Sequence, residues 1–247
     1  VDLRELPHFP PVEPAAAMNT FKVREGFKME LAASEPNIAS PVAICFDENG
    51  RMFVVEMRDY SEHRDERLGR IRMLEDTDGD GVFEKSTIFA EGLGWPTAAI
   101  CYDGGIFVGS TPDIIFLRDT NGDGKADERR VVFTGFGKGQ ERLNVQQLFN
   151  SFTWGLDNRI HGATAGNGGM IEQVASGAPL LRLGSRDFSF DPRTLTMRAE
   201  TGGGQHGLSF DDFGRKFICS NSSHIRMAVY EDRYLPASTA FSLAPGA

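Results

Sequence analysis

Pro41-Val42-Ala43-Ile44-Cys45-Phe46-Asp47-Glu48-Asn49-Gly50-Arg51-Met52-Phe53-Val54-Val55-Glu56 reads as two short apolar runs around a polar turn. Neither run is long enough for a stable helix, and Asp-Glu-Asn-Gly supplies turn dihedrals, so the stretch is a β-hairpin. The same design returns over residues 98–109, 152–162 and 208–219. Read as turn residues, Asp47, Asp103, Asp157 and Asp211 are 56, 54 and 54 residues apart. A strand-rich repeat of this length indicates an all-β protein, a β-propeller or related array. One hairpin cannot bury its apolar faces alone, so the copies must pack on one another.

Working outward, residues 1–20 read as a proline-rich extended arm, with little regular structure expected up to Ala17. Residues 21–247 read as the propeller domain, with repeats near 27–92, 93–138, 139–202 and 203–247. Four repeats are fewer than closed rings of this repeat length usually hold, so an incomplete ring is expected. The start at Val1, without a leader, reads as a fragment or processed product. Alternation over residues 27–32 predicts a half-buried strand before the first hairpin, and residues 139–150 have room for one short helical turn. Further strands are expected at 70–74, 85–90, 114–117, 130–133, 187–190, 195–198 and 226–230. Trp95 and Trp154 read as core, and Cys45, Cys101 and Cys219 as buried thiols without metal-type spacing.

The chain has 247 residues, a net charge of −9 and a 40% hydrophobic content. That charge argues against a nucleic-acid partner, which requires clustered Lys and Arg. No apolar run approaches the roughly 20 residues of a membrane-spanning helix.

Two acidic loops stand out. Asp76, Asp78, Asp80 and Glu84 offer side-chain oxygens in the first, with the carbonyl of Val82. Asp119, Asn121, Asp123 and Asp127 do so in the second, with the carbonyl of Lys125. Alternate carboxylates with glycine at the sixth position suit calcium, because hard oxygen ligands converge where the glycine permits a sharp turn. Strand patterns flank both loops, so they read as calcium-binding hairpin turns. In a four-stranded meander they share a face with the Asp47-type turns, which points to a structural role.

The opposite face collects Glu56, the charged insertion at 58–69, Asn144 to Asn150, Asn167, Gly202-Gly203-Gly204-Gln205-His206 and Ser220-Asn221-Ser222-Ser223-His224. His206 follows three glycines that let backbone approach a ligand, and a neutral imidazole there suits a general base. His224 qualifies on the same grounds. Arg58, Arg64 and Arg67 are candidates to grip a carboxylate-bearing cofactor. His63 reads as a solvated loop residue, His8 as part of the tail and His161 as a strand residue.

The segments Val54-Val55-Glu56-Met57-Arg58-Asp59-Tyr60, Trp154-Gly155-Leu156-Asp157, Gly203-Gly204-Gln205-His206-Gly207 and Tyr230-Glu231-Asp232-Arg233-Tyr234-Leu235 carry a resemblance, together with the two acidic loops. They resemble the propeller domain of membrane-bound dehydrogenases that are similar to soluble quinoprotein glucose and sorbosone dehydrogenases. The resemblance implies a six-bladed propeller with pyrroloquinoline quinone (PQQ) on its polar face. It implies a sugar or other alcohol as substrate, and a cytochrome c domain or other electron acceptor as partner. His206 is then the base, with Gln205, Asn150, Arg58 and His224 as pocket residues. An extracytoplasmic location follows from the family and from the calcium loops.

Two other readings stand beside it. One is a non-catalytic, calcium-stabilised propeller that binds glycans or proteins. The other is a calcium-dependent lactonase-type hydrolase, whose axial metal would use ligands such as Glu56 and Asn150.

Overall fold

The computed structural model describes residues 10–176, 181–184 and 186–230. Strands β1 (Pro41–Phe46), β2 (Met52–Glu56), β3 (Gly69–Glu75) and β4 (Lys85–Leu93) form one antiparallel meander. β5 (Pro96–Tyr102), β6 (Gly105–Ser110), β7 (Asp113–Arg118) and β8 (Glu128–Phe136) form the second. β9 (Asn150–Trp154) and β10 (Ile160–Ala163) open the third. There the chain departs from a simple repeat. It forms β11 (Gly169–Gln173) and β12 (Leu181–Arg182), which extend the second sheet past β8 to six strands. It then returns as β13 (Asp187–Phe190) and β14 (Met197–Glu200) to complete the third sheet. β15 (Leu208–Phe210), β16 (Lys216–Ser220) and β17 (Ser223–Met227) make up the fourth sheet among the described residues.

β1 packs beside β5, β5 beside β9, and β9 beside β15, so the first strand of each repeat follows a common axis. The fold is an all-β propeller.

Period-2 patterning places the core between sheets. Phe53, Val55, Ile71 and Met73 face the second sheet, whereas Met52, Val54 and Leu74 face away, beneath Ala33, Ile38 and Phe83. The interface of the second and third sheets is aromatic: Phe107 lies 4.9 Å from Phe116 and 5.2 Å from Phe190, centroid to centroid. Truncating such a ring to alanine costs about 3–5 kcal/mol. The third and fourth sheets share less apolar contact, with Ala163, Leu208 and Ile218 buried and Phe210 half-buried.

Several expectations are corrected. Residues 14–17 form a helical turn (Pro14–Ala17) rather than extended chain, with proline at the helix start where its missing N–H costs nothing. Residues 27–32 form no strand and Phe27 is 73% exposed; alternation without a partner strand does not hold a ladder. β14 begins at Met197 because Leu195 takes a positive φ of 55° and belongs to the preceding turn. β17 begins at Ser223, so the polar Ser220–Ser223 stretch is a tight turn. Trp154 is 42% exposed, whereas Trp95 is buried. The three cysteines are half-buried, and the thiols of Cys45 and Cys101 lie 3.6 Å apart between β1 and β5. The helical turn expected within 139–150 is present at Val145–Gln147, capped by Asn144.

His8, residues 231–235 of the last resembling segment and the end of the fourth repeat lie outside the described residues. Among the described residues no helix is long and apolar enough to cross a membrane.

Candidate functional site

The meander gives the fold two faces. One carries the β1–β2 and β3–β4 type of turn; the other carries the β2–β3 connections and the passages between sheets. Arg58, Asn150, Gln205 and His206 all belong to the second face, and a continuous path joins them. Met57 packs with Trp95 and Leu148 in a buried cluster. The side-chain amide of Asn150 donates to Leu148 O at 2.9 Å and to Gln205 O at 2.8 Å. Ser151 Oγ donates to Asn150 Oδ1 and accepts from Gly207 N at 3.1 Å. Asn221 N donates to Gln205 Oε1 at 3.1 Å, and Cys219 Sγ donates to His206 O at 2.8 Å.

The backbone is thus fixed on both sides of His206, while its imidazole is exposed and has no hydrogen bond or ion pair among the described residues. Arg58 and His224 are likewise exposed and uncommitted, and no hydrogen bond links either of them to His206. Asn150 is buried and fully engaged, so it is an anchor and presents no free donor. Arg64 is engaged too, donating to Thr111 O at 2.7 Å and lying over the Trp95 ring.

PQQ is a planar quinone bearing carboxylates. The uncommitted donors of this face, namely Arg58, His206, His224 and the Gln205 amide, suit such an anion by charge and hydrogen-bond type. Glu56 and Asn150, named as ligands for a lactonase-type site, are both engaged within the protein. Glu56 is fully buried and accepts from Ala39 N at 2.6 Å and from Arg70 Nε, with Arg72 Nε 3.5 Å away.

The two acidic loops have one architecture. Asp76 accepts from Gly79 N at 2.7 Å and Gly81 N at 2.9 Å; Asp119 accepts from Gly122 N and Gly124 N at 2.7 and 2.8 Å. Glu84 and Asp127 close the loops by accepting from the backbone and hydroxyl of Thr77 and Thr120. Gly81 and Gly124 take φ values of 91° and 82°, which side chains rarely adopt. The N–H groups, led by Gly81, hold the Asp76 carboxyl below its usual range. For Asp119, burial works the other way but is outweighed by the Gly124, Gly122 and Asn121 N–H groups. Asp76, Asp78 and Glu84 bring oxygens within 4.8 Å of one another, and the all-oxygen donor set suits calcium.

A third constellation was not legible as a site from residue types alone. In the first and fourth hairpins, Asp47 and Asp211 each close the turn with an ion pair at 2.6 Å to Arg51 and Arg215. The equivalent backbone bond in the third hairpin runs from Gly155 N to Arg159 O, so Gly155, and not Asp157, is the counterpart of Asp47. A side chain at Gly155 would strike Asp157 and His161, its Cβ falling 2.6 and 2.7 Å from their nearest atoms. Asp157 instead meets His161 Nε2 at 3.1 Å and Arg198 at 2.9 Å.

Cross-strand pairing puts His161, Ser189 and Arg198 on one side of the third sheet. That side faces the fourth sheet and is polar, whereas the opposite side is lined by Ile160, Phe188 and Phe190. Burial drives His161 toward its neutral form against the pull of Asp157. Asp157, also opposed by burial, is held low by its bond to His161 and by Arg198. These groups border a cleft of ≈ 750 Å³ between the third and fourth sheets, with Phe210, Phe213 and Lys216 on its other side.

Among curated proteins none matches this chain in sequence. Several solved structures are similar, among them the following three. A luciferin-regenerating enzyme is 9% identical, with a TM-score of 0.45, over 76% of this chain and 60% of its own. The periplasmic gluconolactonase of Pseudomonas aeruginosa is 16% identical, with a TM-score of 0.42, over 81% of this chain and 59% of its own. The extracellular domain of a one-component system from B. thetaiotaomicron is 10% identical, with a TM-score of 0.40, over 77% of this chain and 24% of that chain. The chain therefore spans less than two thirds of the length of each. Residues 13–246 match the family described as Domain of unknown function (DUF7133), and the chain belongs to that family.

Proposed function

We propose that this chain is the propeller domain of a quinoprotein-like dehydrogenase that oxidises a sugar or other alcohol, with His206 as the base. The observation that carries this reading is the state of His206: an exposed, unpartnered imidazole on a backbone fixed by the Asn150, Cys219 and Asn221 bonds. When bound, PQQ supplies the acceptor for a hydride from the carbinol carbon. The lone pair of His206 takes the hydroxyl proton of the substrate as that hydride leaves, so the C=O bond forms and positive charge does not build up on the carbinol carbon. Arg58 holds an anionic group of the cofactor through its guanidinium, and Gln205 and His224 add hydrogen-bond donors.

The calcium loops lie on the other face and stiffen the β3–β4 and β7–β8 hairpins. In this reading the protein works outside the cytoplasm, where calcium is plentiful, and passes its electrons to a cytochrome c domain or other acceptor. The engaged states of Glu56 and Asn150 favour this reading over an axial-metal lactonase. Titration with PQQ, followed by the absorbance of the quinone with and without an alcohol, tests it.

A further inference from the structure

We propose that Asp157, His161 and Glu200 form a binding site for a divalent first-row transition-metal ion, in the cleft between the third and fourth sheets. This site is separate from the His206 face and from both acidic loops. One ligand atom from each of the three residues lies within 4.8 Å of the others. An imidazole with two carboxylates suits zinc, cobalt or manganese better than calcium, which prefers oxygen alone.

Two further observations point to a ligand here. His161 is 6% exposed, yet its Nδ1 has no hydrogen-bond partner among the described residues, and a buried polar atom left so is costly. The third hairpin also gives up the Asp-Arg turn closure of its sister hairpins, placing glycine where a side chain would fill the space beside Asp157 and His161.

Arg198 is the cation that now balances the carboxylates, at 2.9 Å from Asp157 and 2.6 Å from Glu200. Its side chain is 56% exposed, so it can swing outward when a metal ion takes its place. Ser189 fixes Glu200 by donating to Oε1 at 2.6 Å and is itself held by Arg159 at 2.7 Å. Lys216, whose charge also reaches His161, is paired with Asp187 at 2.8 Å. The cleft leaves room for water to complete the coordination sphere.

The test is a titration of the calcium-saturated protein with Co(II), read by visible absorption. Nitrogen-containing, low-coordinate cobalt absorbs far more strongly than cobalt in an all-oxygen octahedral site, so any exchange into the acidic loops stays nearly silent. We expect one saturable equivalent. Affinity should fall by at least about 10–100-fold in His161→Gln and Glu200→Gln, because loss of an outer-shell partner alone costs that much. Arg198→Ala should bind cobalt more tightly than the wild type, because its competitor is gone. That variant keeps the test decisive if the other two fail to fold. No saturable absorption, absorption unchanged by His161→Gln, or weaker binding in Arg198→Ala would each overturn the proposal and leave a purely structural ion-pair network.

Discussion

Asn150 and Gln205, 55 residues apart, are joined by one part-buried hydrogen bond of 2.8 Å from the Asn150 amide to the Gln205 carbonyl. It ties the first strand of the third sheet to the residue before His206, so the position of the proposed base depends on a side chain that touches no ligand. Asn150→Ala removes that bond and the one to Leu148 O. Loss of buried hydrogen bonds predicts a destabilisation of about 1–3 kcal/mol. Denaturant melts should show that loss, and turnover should fall further than the unfolded fraction explains. Unchanged turnover in the folded variant would show that Asn150 does not position His206.

Glu56 is predicted to be structural. Replacing it with glutamine leaves Arg70 and Arg72 without their buried counter-charge, at a cost of about 3–5 kcal/mol. Arg70→Met added to Glu56→Gln should recover part of the loss, since the two positions are coupled. Thermal melts of the single and double variants check this; strictly additive losses would contradict the pairing.

Calcium should raise the melting temperature, and a chelator should lower it. At a free concentration a hundred times the dissociation constant, each loop would add about 2.7 kcal/mol. Asp76→Ala and Asp119→Ala should each remove one increment. Val82→Ala and Lys125→Ala should remove neither, because those residues would offer only their carbonyls. A melt insensitive to calcium would sink the assignment.

Asp59 predicts a pH effect. It is fully buried, and burial pushes its carboxyl above the ordinary range, partly offset by Trp95 N donating at 2.8 Å; Oδ1 has no partner among the described residues. Below the unfolded value near 4 the group is neutral in both states and makes no difference. As pH rises through the raised folded value, the wild type must ionise a buried group and loses stability relative to Asp59→Asn. Urea midpoints of the two proteins should therefore agree near pH 4 and diverge in favour of the variant by pH 7. A gap that closes with rising pH would contradict the sign.

The inner hairpins were legible because alternation, Asp-Gly turns and repeat length are local properties. Strands β1 and β2 fall within the quoted stretch for that reason, and β5 and β6 overrun residues 98–109 by only two residues and one. The acidic loops were legible for the same reason. Residues 27–32 mislead because they alternate without a partner strand, which only the tertiary fold supplies. The β11–β12 hairpin was missed because its pairing is with β8 of another repeat. The Asp157–His161–Glu200 group was missed because His161 and Glu200 come together only through the β10–β13–β14 pairing. A signal was present all the same: Arg51 and Arg215 stand four residues after Asp47 and Asp211, whereas Arg159 stands four after a glycine, Gly155. Asn150 read as a pocket residue because its strand end faces the right way; its amide turned out to be engaged by two carbonyls.

The most direct test of the dehydrogenase reading is titration of the calcium-loaded protein with PQQ, beside His206→Ala. Both proteins should bind PQQ saturably, and the wild type alone should show alcohol-dependent reduction of the quinone. Failure of the wild type to bind PQQ, or equal reduction by His206→Ala, would contradict that reading.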